Sequence, residues 1–375
     1  MIITRSYVAI IFTSVISLFI FCEFVVYYVS LIQCSWPTLD KSTADPNIQS
    51  DGEPLRVMLL ADTHLLGPKR GHWFDKLRRE WQMQRAFQTA MSLHQPDIVF
   101  ILGDLFDEGL WCSDSEFAAY VERFHTLFRT PEGTELFVVV GNHDIGFHYG
   151  ISPYLKKRFS DAFNSPSVQM FSVRGIHFVL INSMAMEGDG CFLCRSAEIQ
   201  LLNLSKKLKC IKSPSSCNGE TDLTHYSRPI LFQHFPMYRE SDEACNEPDE
   251  APEDEKRLKF RERWDCLSKE SSDMLFEMLN PRLIVTGHTH HGCRKYHKQY
   301  NAFEYTLSSF NWRNKDNPSY MLAVITANNY ALEKCYMPCE STVIFLYIVG
   351  ALGIIAYTIT TQRRLYWRIR VFKVL

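Results

Sequence analysis

The chain has 375 residues, with 40 Lys and Arg against 42 Asp and Glu, for a formal net charge of −2. That balance excludes a dedicated nucleic-acid binder, which needs a basic face. The length favours one large domain or two small ones.

The N-terminal stretch "SYVAIIFTSVISLFIFCEFVVYYVSLIQCSW" has Glu23 as its only charge. It is apolar for far longer than the ~7 to 15 residue core of a signal peptide, so residues 1–36 read as an uncleaved signal anchor. A linker over 37–53 leads to a domain over 54–338. "LRVMLLADTH" is an apolar run that delivers Asp62 and His64. "WFDKLRREWQMQRAFQTAMSLHQ" is an amphipathic helix with Trp81, Phe87 and Met91 on its buried side and its charges on a solvated face. "DIVFILGD" delivers Gly103 and Asp104, and "SDSEFAAYVERFHTLFR" is a second helix opened by a Ser or Asp cap.

In "VVVGNHDIGFHYG" a buried strand turns sharply at Gly141 and places Asn142, His143 and Asp144 just past its end. A strand region near 171–182 precedes "CFLC" (191–194), read as a local disulfide or a bridge to Cys210 or Cys217, and the glycosylation sequon at Asn203. "RPILFQHFP" ends in His234; residues 240–257 are strongly acidic and read as a solvated loop; "PRLIVTGHTHHG" ends in His288 and His290, with His291 beyond. Strands near 302–308 and 319–327 follow.

The last apolar segment, within 339–361, has the ~20 uncharged residues needed to cross a bilayer. Arg363, Arg364, Arg368, Arg370 and Lys373 crowd the tail over 362–375, and Arg5 marks the other end. The positive-inside rule then puts both termini in the cytosol and the domain in the secretory lumen. The many cysteines between the two segments suit that oxidising compartment.

Ligands collect at the carboxyl ends of strands in open α/β sheets, and five apolar runs here end in carboxylate, imidazole or amide groups. Oxygen and nitrogen donors without thiolate suit Mn, Fe or Zn. Asp62, His64, Asp104, Asn142, His234, His288 and His290 are too many for one ion. Two divalent ions sharing one carboxylate are expected, Mn2+ first, with Fe or Zn as alternatives. Such a pair clamps the attacking and leaving oxygens of a phosphoryl transfer.

The ordered set DTH (62–64), GDLFDEG (103–109), GNHD (141–144), QH (233–234) and GHTH (287–290) resembles the calcineurin-like metallophosphoesterases over about residues 54–335. The resemblance implies an α/β fold of two packed mixed β-sheets flanked by helices, a four-layer sandwich, here with a transmembrane helix at each end. It implies that Asp62, His64, Asp104 and His290 hold one metal and that Asp104, Asn142, His234 and His288 hold the other. His143 would stand over the phosphate as general acid or charge stabiliser. Asp144 is a second catalytic candidate; it and Asp107 could orient neighbouring groups, but turn chemistry is the first reading for each.

"LRREWQMQRAFQTA", "GNHDIGFHYG" and "SSFNWRNKDNPS" resemble the branch of that family acting on the GPI glycan. That implies a phosphodiesterase removing a side-chain ethanolamine phosphate from the second mannose of the GPI anchor. The glycan of GPI-anchored proteins is then the substrate, with the lipid bilayer and cargo-transport machinery as partners and no nucleic acid. Residence would be at ER exit sites, the ER–Golgi intermediate compartment and the Golgi. On this reading the acidic run could be a lid over the ethanolamine amine, and Trp312 or Arg313 could meet the glycan. The tail "RIRVFKVL" departs from the pattern, having Lys373 without paired lysines.

Overall fold

In the computed structural model, which describes residues 5–45, 48, 52–213 and 226–372, helix α1 (Arg5–Ile20) runs through a π turn (Phe21–Val25) into α2 (Val26–Leu31). Strand and helix then alternate through β1 (Leu55–Leu60), α3 (Trp73–His94), β2 (Ile98–Leu102), α4 (Asp114–Leu127) and β3 (Glu135–Val139). The single turn α5 (Asn142–Ile145), helix α6 (Pro153–Phe163), strands β4 (Val168–Val173) and β5 (Ile176–Ile181), helix α7 (Phe192–Lys212) and β6 (Ile230–Gln233) follow. The remainder comprises α8 (Glu253–Lys256), α9 (Lys269–Leu279), β7 (Leu283–Thr286), β8 (Cys293–His297), β9 (Ala302–Thr306), β10 (Ser319–Ile325), β11 (Tyr330–Tyr336) and the long helix α10 (Glu340–Phe372).

Two mixed sheets form, as expected. One has the order β11-β10-β1-β2-β3 and the other β4-β5-β6-β7-β9-β8. β1, β2 and β3 are mutually parallel, and so are β5, β6, β7 and β9; the antiparallel strands flank these blocks. Every residue of β2, β5, β6 and β7 is buried, which is why these runs lack polar alternation. Between the sheets the Phe100 ring lies 4.3 Å from Phe232 and 5.4 Å from Phe178. The other side chains of β1 and β2 pack under Met83, Phe87 and Phe124 of α3 and α4, and those of β5 and β6 under α7 and α9.

Three expectations change. The 171–182 region is a hairpin, turned by Arg174 and Gly175 at positive φ (50° and 76°). The acidic run 240–257 is solvated only in part: Glu240, Glu243, Glu253, Asp254 and Glu255 are exposed, but Asp242 and Asp249 are buried, Asp249 accepting from Ser319 and Lys334, and Cys245 is bonded to Cys293. Burial of paired carboxylates leaves no free acidic lid at those two positions. Cys191 and Cys194 are free thiols; Cys210 is disulfide-bonded, and Cys217 lies outside the described residues.

The terminal helices, long and apolar enough to cross a membrane over Tyr7–Leu31 and Glu340–Arg364, lie antiparallel. The Tyr7 hydroxyl donates to the Thr358 carbonyl at 3.1 Å and the Tyr347 hydroxyl to Glu23 at 2.6 Å. A Cβ at Gly350 would meet Leu18 at 2.4 Å, so the glycine permits the close crossing. α2 is different: Val26, Tyr27 and Leu31 are buried, Tyr27 packing beside Trp312. Another disulfide, Cys34–Cys335, fixes the exit of this helix to β11.

Phe100→Ala should lower the unfolding free energy by about 3–5 kcal/mol through loss of apolar contact and the cavity left between the sheets. Denaturant unfolding of the detergent-solubilised chain measures it. A change below about 1 kcal/mol would place the shared core elsewhere.

Candidate metal centre

The loops after β1, β2, β3, β6 and β7 meet at one end of the two sheets. Five of the expected ligands adopt left-handed backbone there: Asp62 (φ 56°), His64 (42°), Asp104 (51°), His288 (77°) and His290 (61°). Such conformations are costly for residues with a Cβ and persist where the surroundings fix them. Ser309 Oγ donates to the Asp62 carbonyl at 2.7 Å, and Asn311 Nδ2 donates to the Thr63 carbonyl at 2.7 Å. Two glycines clear the space. A Cβ at Gly103 would meet the His234 ring at 2.4 Å, and one at Gly141 would meet Asp104 Oδ1 at 2.1 Å.

All seven expected ligands come together. Asp62, His64, Asp104 and His290 form one group of donors within 4.8 Å of one another, and Asp104, His234 and His288 form a second. Asp104 belongs to both: its Oδ2 lies 3.6 Å from His64 Nε2 and 3.2 Å from His234 Nε2. Asn142 Oδ1 lies 3.2 Å from the same His234 nitrogen, so the amide joins the second group. His64 Nε2 and His290 Nε2 face each other at 3.0 Å, both turned towards Asp62 Oδ1 at 3.9 and 3.8 Å. His234 Nδ1 donates to the Leu102 carbonyl at 2.8 Å, which fixes the tautomer and leaves Nε2 to bind. The His288 ring stacks on Phe235 at 4.1 Å, its Nε2 donating to the Trp264 carbonyl. That leaves buried His288 Nδ1 without a partner.

These features fit a cation at each group. An orphaned imidazole nitrogen, and ring nitrogens that converge beside buried carboxylates, suit a cation that takes their lone pairs. Charge points the same way. Burial and the Asp104 charge push the Asp62 carboxyl up to about 8. Burial opposes ionisation of Asp104 too, yet the imidazoles of His234 and His143 hold its pKa well below the ordinary carboxylate range. Burial works against a charged His234, but Asp104 raises it to about 9; burial and His234 depress His288 to about 3. This is a site short of positive charge, with oxygen and nitrogen donors suited to divalent ions.

The structure separates the aspartates that follow. Asp144, a catalytic candidate for which turn chemistry is the first reading, is fully buried, with Oδ1 accepting from Phe106 N at 3.0 Å and Oδ2 from Gly141 N at 2.8 Å. Both oxygens are occupied by backbone N–H groups, which fits the turn role. Asp107 instead reaches the site, with Oδ1 3.4 Å from His64 Nδ1 and Oδ2 3.2 Å from Arg313. His143 keeps 29% of its side chain exposed, its Nδ1 donating to the Asp107 carbonyl at 3.2 Å and its ring edge-on to His64 at 4.7 Å. Trp312, considered for glycan contact, is buried and donates to the Pro338 carbonyl.

An aromatic wall that sequence reasoning missed stands beside His288: Phe147, Tyr149 and Trp264, with Trp264 4.6 Å from Phe147 and 5.6 Å from Tyr149. Trp264 lies more than a hundred residues beyond the other two, and only the "GFHYG" tail of the third motif, which holds Phe147 and Tyr149, hinted at the wall.

Asp104→Asn should lower metal content at both positions, because it removes the one shared negative charge at nearly constant volume. Asp62→Asn should disturb mainly one. Elemental analysis of the purified variants is the check, and two full equivalents bound to Asp104→Asn would contradict a shared carboxylate.

A family model described as calcineurin-like phosphoesterase matches residues 55–292. Proteins named Metallophosphoesterase 1 are close in sequence. That of Ailuropoda melanoleuca is 49% identical over 340 residues, spanning 90% of this chain and 85% of its own length. That of Gallus gallus is 48% identical over 344 residues, spanning 90% and 86%. Among solved structures, purple acid phosphatase PPD1 from seeds of yellow lupin (Lupinus luteus) matches with a TM-score of 0.50 and 12% identity, over 76% of this chain and 52% of that one. With the donor set described above, these likenesses identify the chain as a member of the calcineurin-like phosphoesterase family, a metal-dependent phosphoester hydrolase.

Proposed function

We propose that the chain is a membrane-anchored phosphodiesterase that removes ethanolamine phosphate from the second mannose of the GPI anchor and so supports ER-to-Golgi transport of GPI-anchored proteins. The observation that carries this reading is the pairing of two donor groups through Asp104 with an aromatic wall at their side. Aromatic faces suit the apolar faces of sugar rings, and Tyr149 is 73% exposed. The resemblance of three sequence stretches to the GPI-glycan branch of the family supplies the substrate. Other phosphodiesters or phosphomonoesters of nucleotides, lipids or proteins are the rival substrates, and a non-catalytic trafficking adaptor is the rival class.

Two divalent ions, Mn2+ in this proposal, would be held by Asp62, His64, Asp104 and His290 and by Asp104, Asn142, His234 and His288; when bound, they supply positive charge at the phosphoryl oxygens and activate water. The chain's own residues do the rest. Asp104 keeps the two groups in register, and Asn142 contributes an amide oxygen without adding charge. His143, held through Nδ1 by the Asp107 carbonyl, has Nε2 uncommitted and is placed to protonate the leaving sugar oxygen. Arg313, paired with Asp107, adds a cation near this ring.

His143→Ala should retain metal and fold but lose roughly 10² to 10⁴ in rate, the range for a positioned acid. The loss should be large for a sugar alkoxide and small for an activated aryl phosphodiester; equal losses would favour electrostatic stabilisation instead. Defined GPI glycans with and without the ethanolamine phosphate, assayed by mass spectrometry, test the substrate. Hydrolysis of aryl diesters without release of phosphoethanolamine would favour the rival substrates, and metal-loaded protein inert on all of them would favour the adaptor. For location, the proposal puts both termini in the cytosol and the domain in the lumen of the early secretory pathway. Terminal tags protected from protease in sealed microsomes would overturn it.

A further inference from the structure

The N-terminal turns of α3 present large apolar side chains to the outside: Trp73 is 68% exposed, Phe74 55% and Leu77 57%. Soluble surfaces rarely gather such groups on one helix face. The same face continues to Trp81, one turn beyond Leu77, whose ring meets Phe24 of the π turn edge-on at 5.4 Å. Arg78 Nε donates to Glu340, the first residue of α10, at 2.9 Å, and Arg79 Nη1 bonds the same carboxylate. α3 therefore lies at the level where both terminal helices leave the domain. Trp73 is eight positions from Trp81, roughly 12 Å along the helix. Beside these turns Arg70 stacks on Trp111 at 4.3 Å, and Lys69 Nζ donates to the Trp111 carbonyl; Trp111 is itself 47% exposed.

We infer that this patch is an interfacial membrane segment, in which Trp73, Phe74, Leu77 and Trp111 lie in the headgroup region of the bilayer and Lys69 and Arg70 face anionic headgroups. The inference rests on the reading that both terminal helices cross the bilayer. Continuity with the exits of those helices commits the occupant to lipid. Tryptophan beside a basic cluster is the composition that membrane interfaces favour. The patch also borders the metal centre: Leu110, next to Trp111, donates its N–H to the His143 carbonyl at 3.1 Å. Insertion would hold the catalytic rim against the membrane surface, a posture suited to a lipid-linked substrate.

The full-length chain, reconstituted in phosphatidylcholine and phosphatidylserine vesicles, carries an environment-sensitive fluorophore on Leu77→Cys, Val349→Cys within α10 or the exposed Glu132→Cys, with the unsubstituted chain as labelling background. Expected is at least twofold quenching at position 77 by lipids with a nitroxide near the headgroup, quenching at 349 by lipids with a deep nitroxide, and none at 132. If position 77 behaves like 132 while 349 is quenched, the interfacial segment is overturned and the spans stand. If 349 is not quenched, the span reading fails and takes this inference with it. Shielding of position 77 from aqueous quencher without nitroxide quenching would mean that a protein surface covers it, which also overturns the inference.

Discussion

The Asp104 carboxylate sits 1% exposed where the strand ends of the two sheets meet, 3.2 Å from an imidazole that follows β6 and 3.6 Å from one that follows β1. A buried charge is tolerable only with compensating charge and hydrogen bonds. The surroundings are arranged to provide both: Asp104 Oδ1 accepts from His143 N at 2.8 Å, and the imidazoles crowd the other oxygen. Gly103 and Gly141 are what let the ring of His234 and the carboxylate itself approach the backbone so closely. Asp104 thus joins the two sheets at this end, together with the His234 bond to the Leu102 carbonyl and the His288 N–H bond to Asp62, and the apolar contacts of Phe100 do the same between their faces.

Much of this was legible because its signal is local. Each ligand stands within a few residues of the end of an apolar run, so period and punctuation alone placed all seven at one sheet end. The rest depended on contacts between distant segments. Asp104, Asp107 and Asp144 look alike in sequence, and only folding makes one a shared donor, one a neighbour of two imidazoles and an arginine, and one a clasp for backbone N–H groups. The acidic run was only half legible for the same reason: charge density suggests solvation, which holds for Glu253, Asp254 and Glu255, yet Asp249 meets Ser319 and Lys334 from elsewhere in the chain. Edge strands β8 and β11, partly exposed, carry too little apolar pattern to stand out.

The "SSFNWRN" stretch shows how the terminal helices and the site are joined. Ser309 and Asn311 hold the backbone of Asp62 and Thr63, and Trp312, immediately after, packs beside Tyr27 of α2. Arg78 of α3 lies over the same indole at 5.2 Å while bonding Glu340 of α10. The first helix is consequently part of the catalytic domain's packing as well as an anchor, and the burial of Val26, Tyr27 and Leu31 shows where the one role passes into the other.

The strand order β11-β10-β1 bears on biosynthesis. β1 is among the first elements made, but its antiparallel neighbour β10 and the Cys335 that clasps Cys34 across 301 residues of sequence are among the last. Until the ribosome has delivered β10, through residue 325, one side of β1 is an open edge with unpaired backbone groups, the kind of template that recruits foreign strands. Vectorial synthesis thus leaves this edge of the nascent domain unpaired for most of its translation, and a premature stop before β10 would yield a product with both the edge and the clasp left open.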